Sequence, residues 1–180
     1  DIQALSCEFL TISGHKAYGP SGASLVYIRE DWCDRLPPYQ FGGAMISEVS
    51  FEKTTYAKAP LKFEAGTPAI AEIIGMGAAF DYLMTIGMGR VFEHEQALTD
   101  YAYTALSECE GVTVLGPKTN RVGVFAFTIK GVHAHDIGTI LNDKNVAIRA
   151  GHHCAMPLHK RFKVAATARA SLGIYNTTDD

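Results

Sequence analysis

Little in this sequence marks it for nucleic acid, membrane or metal. The chain's 180 residues carry 16 basic and 19 acidic side chains, a formal net charge of -3, and no block of like sign. That excludes the basic stripe on which a nucleic acid is held. No apolar run approaches the roughly 20 residues that cross a bilayer, and no basic-then-apolar leader stands at the start, so a cytoplasmic protein is expected. Cysteine is scarce: Cys7, Cys33, Cys109 and Cys154 are widely scattered and form no C-x-x-C pair. This argues against a zinc ribbon and a disulfide scaffold and makes reduced thiols the default. Internal repeats and low-complexity segments are lacking. So is an initiator methionine: the chain starts on Asp1-Ile2-Gln3 and stops on Asp179-Asp180 where a helix cap is due, so a piece of something longer is expected.

What is present suits a globular protein. A chain 47% hydrophobic and 19% charged can bury one domain, or one small domain with part of another. Phe9-Leu10-Thr11-Ile12 is an apolar, β-branched run that predicts a buried strand, and a second strand is predicted from Ala23 to Arg29. Between them lies Ser13-Gly14-His15-Lys16-Ala17-Tyr18-Gly19-Pro20, a turn that sets one lysine at a strand end. Partial burial there would disfavour the ammonium form of Lys16 and make its amine nucleophilic near neutral pH. A solvated surface lysine is the plain alternative.

From Asp31 to Pro60 the text is irregular, with Val49 to Tyr56 alternating as a hairpin or extended arm. Its aromatic residues Tyr39, Phe41, Phe51 and Tyr56 are expected to pack on another subunit or on chain not present. A helix signal follows. Thr67 can cap, Pro68 fits the first helical position, Ile70, Ile73, Ile74, Gly77, Ala78, Tyr82 and Leu83 form an apolar stripe, and Gly87 ends it. A second helix is predicted from about Arg90 to Cys109. Strands over Val112–Leu115, Gly123–Ile129, Val146–Arg149 and Ala168–Ile174, with a helix over His135–Lys144, give an α/β or α+β sandwich. The helix over 68–86 bridges an incomplete first unit, 1–86, and a second, 87–180.

The second reactive stretch is Arg149-Ala150-Gly151-His152-His153-Cys154-Ala155-Met156-Pro157. Positive charge or a proton acceptor favours thiolate, and Arg149, His152 and His153 offer both to Cys154. An inert thiol is the alternative. Zinc is a rival, with His159, His133 and His135 also nearby in sequence, but consecutive residues rarely ligate one tetrahedral ion, so no metal is expected. Arg169 is a lone charge in a small, apolar strand. Its planar fork suits a carboxylate, either a substrate's or an internal one.

Taken jointly, S-G-H-K-x-Y-G-P at 13–20, F-E-A-G-T-P at 63–68, R-x-G-H-H-C-A-x-P at 149–157 and R-A-S-L at 169–172 resemble the group II cysteine desulfurases, the SufS/CsdA-like branch of the NifS family among class V aminotransferases. The short G-H-H-C loop points to group II. The resemblance implies the C-terminal part of a fold type I enzyme dependent on pyridoxal 5'-phosphate, with the end of the large cofactor domain over 1–86 and a small α/β domain over 87–180. It implies that Lys16 forms the Schiff base, that Ser13 and His15 bind the cofactor phosphate, and that Thr67 reaches a phosphate in the partner subunit of a homodimer. Cys154 would carry a persulfide drawn from L-cysteine, leaving alanine. Arg169 would hold the substrate carboxylate, with Arg149 and His153 beside it and the histidines tuning the thiolate or shaping the loop. A sulfur-acceptor protein and iron-sulfur cluster assembly follow by the same resemblance. The family's pyridine-pairing aspartate, ring-stacking histidine and phosphate loop have no counterpart in these residues, so weak cofactor binding by the isolated chain is expected, with exposed apolar surface on the first unit. The alternatives are a selenocysteine lyase, another fold type I enzyme such as an aminotransferase, or an inactive interaction fragment. Cys154 weighs against an aminotransferase, which needs no loop thiol.

Overall fold

The computed structural model describes residues 2–180; Asp1 lies outside the described residues. The chain divides into two compact units, one ending at Ile86 and one running from Gly87 to Asp180. No single helix among the described residues is long and apolar enough to cross a membrane.

In the first unit a one-turn helix α1 (Ile2–Leu5) precedes an antiparallel hairpin of β1 (Phe9–Ser13) and β2 (Ser24–Ile28), in register from Phe9↔Ile28 to Ser13↔Ser24. A short α2 (Glu30–Cys33) follows. The expected arm is a second hairpin, β3 (Ile46–Val49) with β4 (Thr54–Tyr56). The unit ends in α3 (Ile70–Ile86). Thr67 does not cap this helix: its first turn closes from the Ile73 N–H to the Ala69 carbonyl, while Gly66, at φ 82° and bonded to the Gly43 carbonyl, holds the preceding residues in a loop. Of the predicted stripe only Leu83 is buried, joined by Met76 from outside it. Ile70, Ile73, Ile74 and Tyr82 are exposed, Ile74 at 69%. Val26 and Met84 are exposed as well, which is the apolar surface expected of this unit.

The second unit opens on α4 (Met88–Glu108), whose start is marked by Gly87 at φ 93°. A four-stranded antiparallel sheet follows in the order β5-β6-β8-β7, from β5 (Val112–Val114), β6 (Val124–Ile129), β7 (Arg149–Gly151) and β8 (Thr167–Ser171). The helix α5 (Ala134–Asn142) lies against one face. Phe127, Ile137 and Ala168 form the core there, with Val112, Val114, Ile129, Leu141, Ile148 and Ala170 packed around them. Strand alternation places Thr167 and Arg169 of β8 on the face opposite this core.

Two strand boundaries differ from expectation by three residues. Strand β7 begins at Arg149 rather than Val146, because the Val146 N–H closes α5 on the Leu141 carbonyl after Asn145 at φ 61°. Strand β8 ends at Ser171; Leu172 still bonds to the Gly123 carbonyl, and the Gly173 N–H then turns to the Asn176 side chain. A helix not anticipated from sequence, α6 (Met156–Phe162), follows the cysteine loop, with Pro157 in its first turn where a missing N–H costs nothing.

Candidate active site

In the first unit the chain leaves β1 at Ser13 into a single turn of tight helix, Gly14–Lys16. Gly14 is buried, and its carbonyl accepts from the N–H groups of both Ala17 and Gly19 at 2.9 Å. A Cβ on Gly14 would stand 2.9 Å from the Ala23 carbonyl oxygen and 3.2 Å from the Met76 sulfur, so only glycine fits between the hairpin and α3. The turn is thus clamped. Ser13 is half-buried, and His15 and Lys16 project from the clamp into solvent. The expected partial burial of the Lys16 amine is therefore not met, since the turn lies at the end of an exposed two-stranded ribbon. The amine carries no hydrogen bond or ion pair among the described residues. A cavity of 1130 Å³ in this unit, between β2, α2 and α3, does not include it. Thr67 is exposed, and no hydrogen bond or ion pair among the described residues joins it to Ser13–Lys16. An unpartnered amine on a fixed turn, flanked by a hydroxyl and an imidazole, is a donor set that fits a phosphate-bearing aldehyde.

The second unit gathers Arg149, His153, Cys154 and Arg169 around the β7–β8 ladder. Arg149 and Arg169 are directly opposite one another in its register. Like charges so placed repel, and an internal carboxylate would normally answer them. None does: the ion pairs among the described residues are those of Arg29 with Glu8 and Asp31. The Nε of Arg169 is buried and has no hydrogen-bond partner. Two guanidinium groups with their forks open make a site that wants an anion, and a carboxylate matches it.

Beyond Gly151 the backbone turns through consecutive left-handed residues, His153 at φ 52° and Cys154 at φ 59°. Non-glycine residues adopt this conformation at a cost of order 1 kcal/mol each, and two in succession mark a loop whose shape is imposed. It presents Cys154 to solvent. His153 is half-buried. Its Nε2 lies 2.9 Å from the Thr167 hydroxyl and 3.1 Å from the Thr167 carbonyl. Burial, followed by the charges of Arg169, His159 and Arg149, holds its imidazole below the ordinary histidine value, against the opposing pull of the Thr167 carbonyl.

Sequence reasoning missed Thr167 and weighed His159 only as a rival zinc ligand. Both are buried; His159 Nε2 lies 3.0 Å from the Thr167 hydroxyl and its Nδ1 3.0 Å from the Ala155 carbonyl. The signal for Thr167 was its place two residues before Arg169, hence on the same face of one strand. Among the described residues no group of three or more histidine, cysteine and acidic side chains could hold a metal ion; His153 and His159 converge on the Thr167 hydroxyl. His133 caps α5, accepting from the His135 N–H.

The sequence profile of the aminotransferase class-V family matches residues 1–180. A probable cysteine desulfurase of Mycobacterium leprae is 49% identical over the whole of this chain, and a cysteine desulfurase of Enterobacter sp. is 48% identical, the chain covering 44% of each. Among solved structures, the apo cysteine desulfurase of Thermococcus onnurineus superposes with a TM-score of 0.95 at 38% identity, over 99% of this chain and 45% of that one. The cysteine desulfurase CsdA of Escherichia coli, in its S-sulfonic acid form, gives 0.93 at 36% identity, over 99% of this chain and 44% of that one. The chain thus spans less than half the length of the curated relatives it matches. With the family profile matched from end to end, the chain belongs to the aminotransferase class-V family.

Proposed function

We propose that this chain is the catalytic C-terminal portion of a pyridoxal 5'-phosphate-dependent cysteine desulfurase, which removes sulfur from L-cysteine, releases L-alanine and keeps the sulfur as a persulfide on Cys154. The observation that carries the reading is the open arginine pair, Arg149 opposite Arg169, beside an exposed cysteine on a strained loop. An amino acid substrate supplies the missing carboxylate, and a sulfur acceptor must be a thiol that solvent and substrate reach.

Each residue then has a task. Ser13 and His15 hold the cofactor phosphate, and Lys16 holds the cofactor itself through its free amine; Thr67 contributes to a phosphate across a homodimer interface. The cofactor, when bound, supplies an electron sink for bond changes at the amino acid. Arg169 orients the substrate by its carboxylate, with Arg149 adding charge at the rim. Cys154, as thiolate, attacks the substrate sulfur, and the solvent-facing loop hands that sulfur to an acceptor protein. Cytoplasmic iron-sulfur cluster assembly is the purpose such a carrier serves best.

The test uses the holoenzyme. Lys16→Ala is expected to remove the visible cofactor absorption. Cys154→Ser is expected to abolish alanine release from L-cysteine while leaving that absorption in place. Desulfuration that survives in Cys154→Ser would overturn the reading.

A further inference from the structure

Both chain neighbours of Cys154 are held by one pair of buried side chains. On the N-terminal side the His153 imidazole reaches β8, its Nε2 2.9 Å from the Thr167 hydroxyl and 3.1 Å from the Thr167 carbonyl. On the C-terminal side the Ala155 carbonyl lies 3.0 Å from His159 Nδ1, and the Ala155 N–H donates to the His152 carbonyl at 2.8 Å. The two sides meet, since His159 Nε2 is 3.0 Å from the same Thr167 hydroxyl. Thr167 is 0% exposed and His159 5%, so water does not compete for these bonds, and removing one partner leaves the other buried and unsatisfied.

The protons of this network have one consistent arrangement. A carbonyl oxygen only accepts, so His159 carries its proton on Nδ1 toward Ala155 and accepts at Nε2 from the Thr167 hydroxyl. The Thr167 carbonyl demands a donor from His153, whose Nε2–H is shared with the Thr167 hydroxyl oxygen. The hydroxyl thus donates once and accepts once, which an apolar side chain of the same shape cannot do. Between the residues held on either side the backbone is left-handed, at φ 52° for His153 and 59° for Cys154, a conformation that persists only where the surroundings impose it.

We propose that Thr167 and His159 are positioning residues for Cys154: by holding His153 before it and Ala155 after it, they keep the loop in its left-handed shape and fix where the thiol stands. No proton or bond change is assigned to either. Their contribution is the orientation of a reacting group, which acts on the step in which the thiol meets the substrate sulfur and not on the capture of the substrate carboxylate. The inference rests on the desulfurase reading for its purpose, but not for its test.

The experiment follows amide hydrogen exchange of the cysteine-loop peptide in the holoenzyme by mass spectrometry, with turnover of L-cysteine measured in parallel. Thr167→Val keeps the shape of the side chain and removes its hydroxyl; exchange at Ala155 is expected to quicken about tenfold, as for the loss of one buried hydrogen bond. In the same variant kcat should fall about tenfold while KM for L-cysteine stays within about twofold and the cofactor absorption is unchanged. Thr167→Ser, which keeps the hydroxyl and loses the methyl, should exchange and turn over as the native protein does, a rescue that a packing role would not give. A second measurement needs no variant: nitrogen-15 NMR of the native protein should find His159 in the Nδ1–H form. Native loop exchange in Thr167→Val, quickened exchange spread equally over β6 and β8, or an Nε2–H form of neutral His159 would overturn the inference. The desulfurase reading fails separately, by Cys154→Ser retaining alanine release, which leaves the loop exchange untouched.

Discussion

Replacing Arg169 by alanine isolates the carboxylate anchor. Its guanidinium is half-buried, its Nε has no partner, and no carboxylate among the described residues pairs with it. Two charge-assisted hydrogen bonds to a bound carboxylate contribute about 1.5–3 kcal/mol each, and solvent access to the site keeps the sum near the lower end, about 3 kcal/mol. Arg149, directly opposite, retains part of the field. The apparent KM for L-cysteine should therefore rise between about 30- and 100-fold. Arg149→Ala, at an exposed position, should raise it only a few-fold. Arg169→Lys keeps the charge and loses the fork, so it falls between the two.

The control is a ligand without the carboxylate. Cysteamine keeps the amine and thiol of cysteine, and its inhibition constant should be unchanged by Arg169→Ala. Equal weakening of cysteine and cysteamine would mean that the substitution damages the sheet rather than the anchor. An unchanged KM for cysteine would refute the anchor outright.

Three further outcomes are expected. His153 is held below the ordinary histidine value near 6.5, so its neutral form contributes stability that is complete above that pH and is lost as pH falls through the lower folded value; in urea titrations the advantage of the native protein over His153→Gln should shrink below pH 6.5, and a pH-independent gap would contradict this. Gly14→Ala forces a Cβ against the Ala23 carbonyl, so about 1–3 kcal/mol of stability should be lost and the cofactor absorption weakened, as measured by thermal unfolding and visible spectra. Cys154→Gly should be more stable than Cys154→Ala by about 1 kcal/mol, the reverse of the usual order, because φ 59° suits glycine alone; calorimetry with Cys154→Ala the more stable would remove the strain.

Much of this was legible in the sequence where short-range rules operate. The β1–β2 hairpin follows from its β-branched runs, α4 and α5 from their periodicity, and the placement of Lys16 on a turn and Cys154 on a loop from the glycines and prolines around them. Failures lie where tertiary bonds decide. The helix α3 is apolar almost all round, so its pattern placed Leu83 inside but could not say that Met76 would join it while Ile70, Ile73, Ile74 and Tyr82 stayed exposed. The α5 terminus consumed the Val146 N–H and moved β7 by three residues toward the cysteine loop, from a predicted start at Val146 to Arg149. Pairing Arg149 with Arg169 was out of reach, since register depends on a partner strand twenty residues away in the chain.

The strand β8 explains why a carboxylate anchor and a histidine holder should occur together. Thr167 and Arg169 are two residues apart and so share a face; Ala168 between them is fully buried against Phe127 and the α5 residue Ile137. A slip of one residue would drive the Arg169 charge into that apolar cluster, which costs several kcal/mol, while bringing Ala168 out to the site. Core packing therefore fixes the register, and the register fixes the spacing between the Arg169 guanidinium and the Thr167 hydroxyl that meets His153. Small side chains at Ala168 and Ala170 let β8 approach the core closely, which makes the strand a rigid ruler rather than a flexible arm. On this account the polar face needs no separate scaffold: the alternation that buries alanine is the same one that aims threonine and arginine at the cysteine loop.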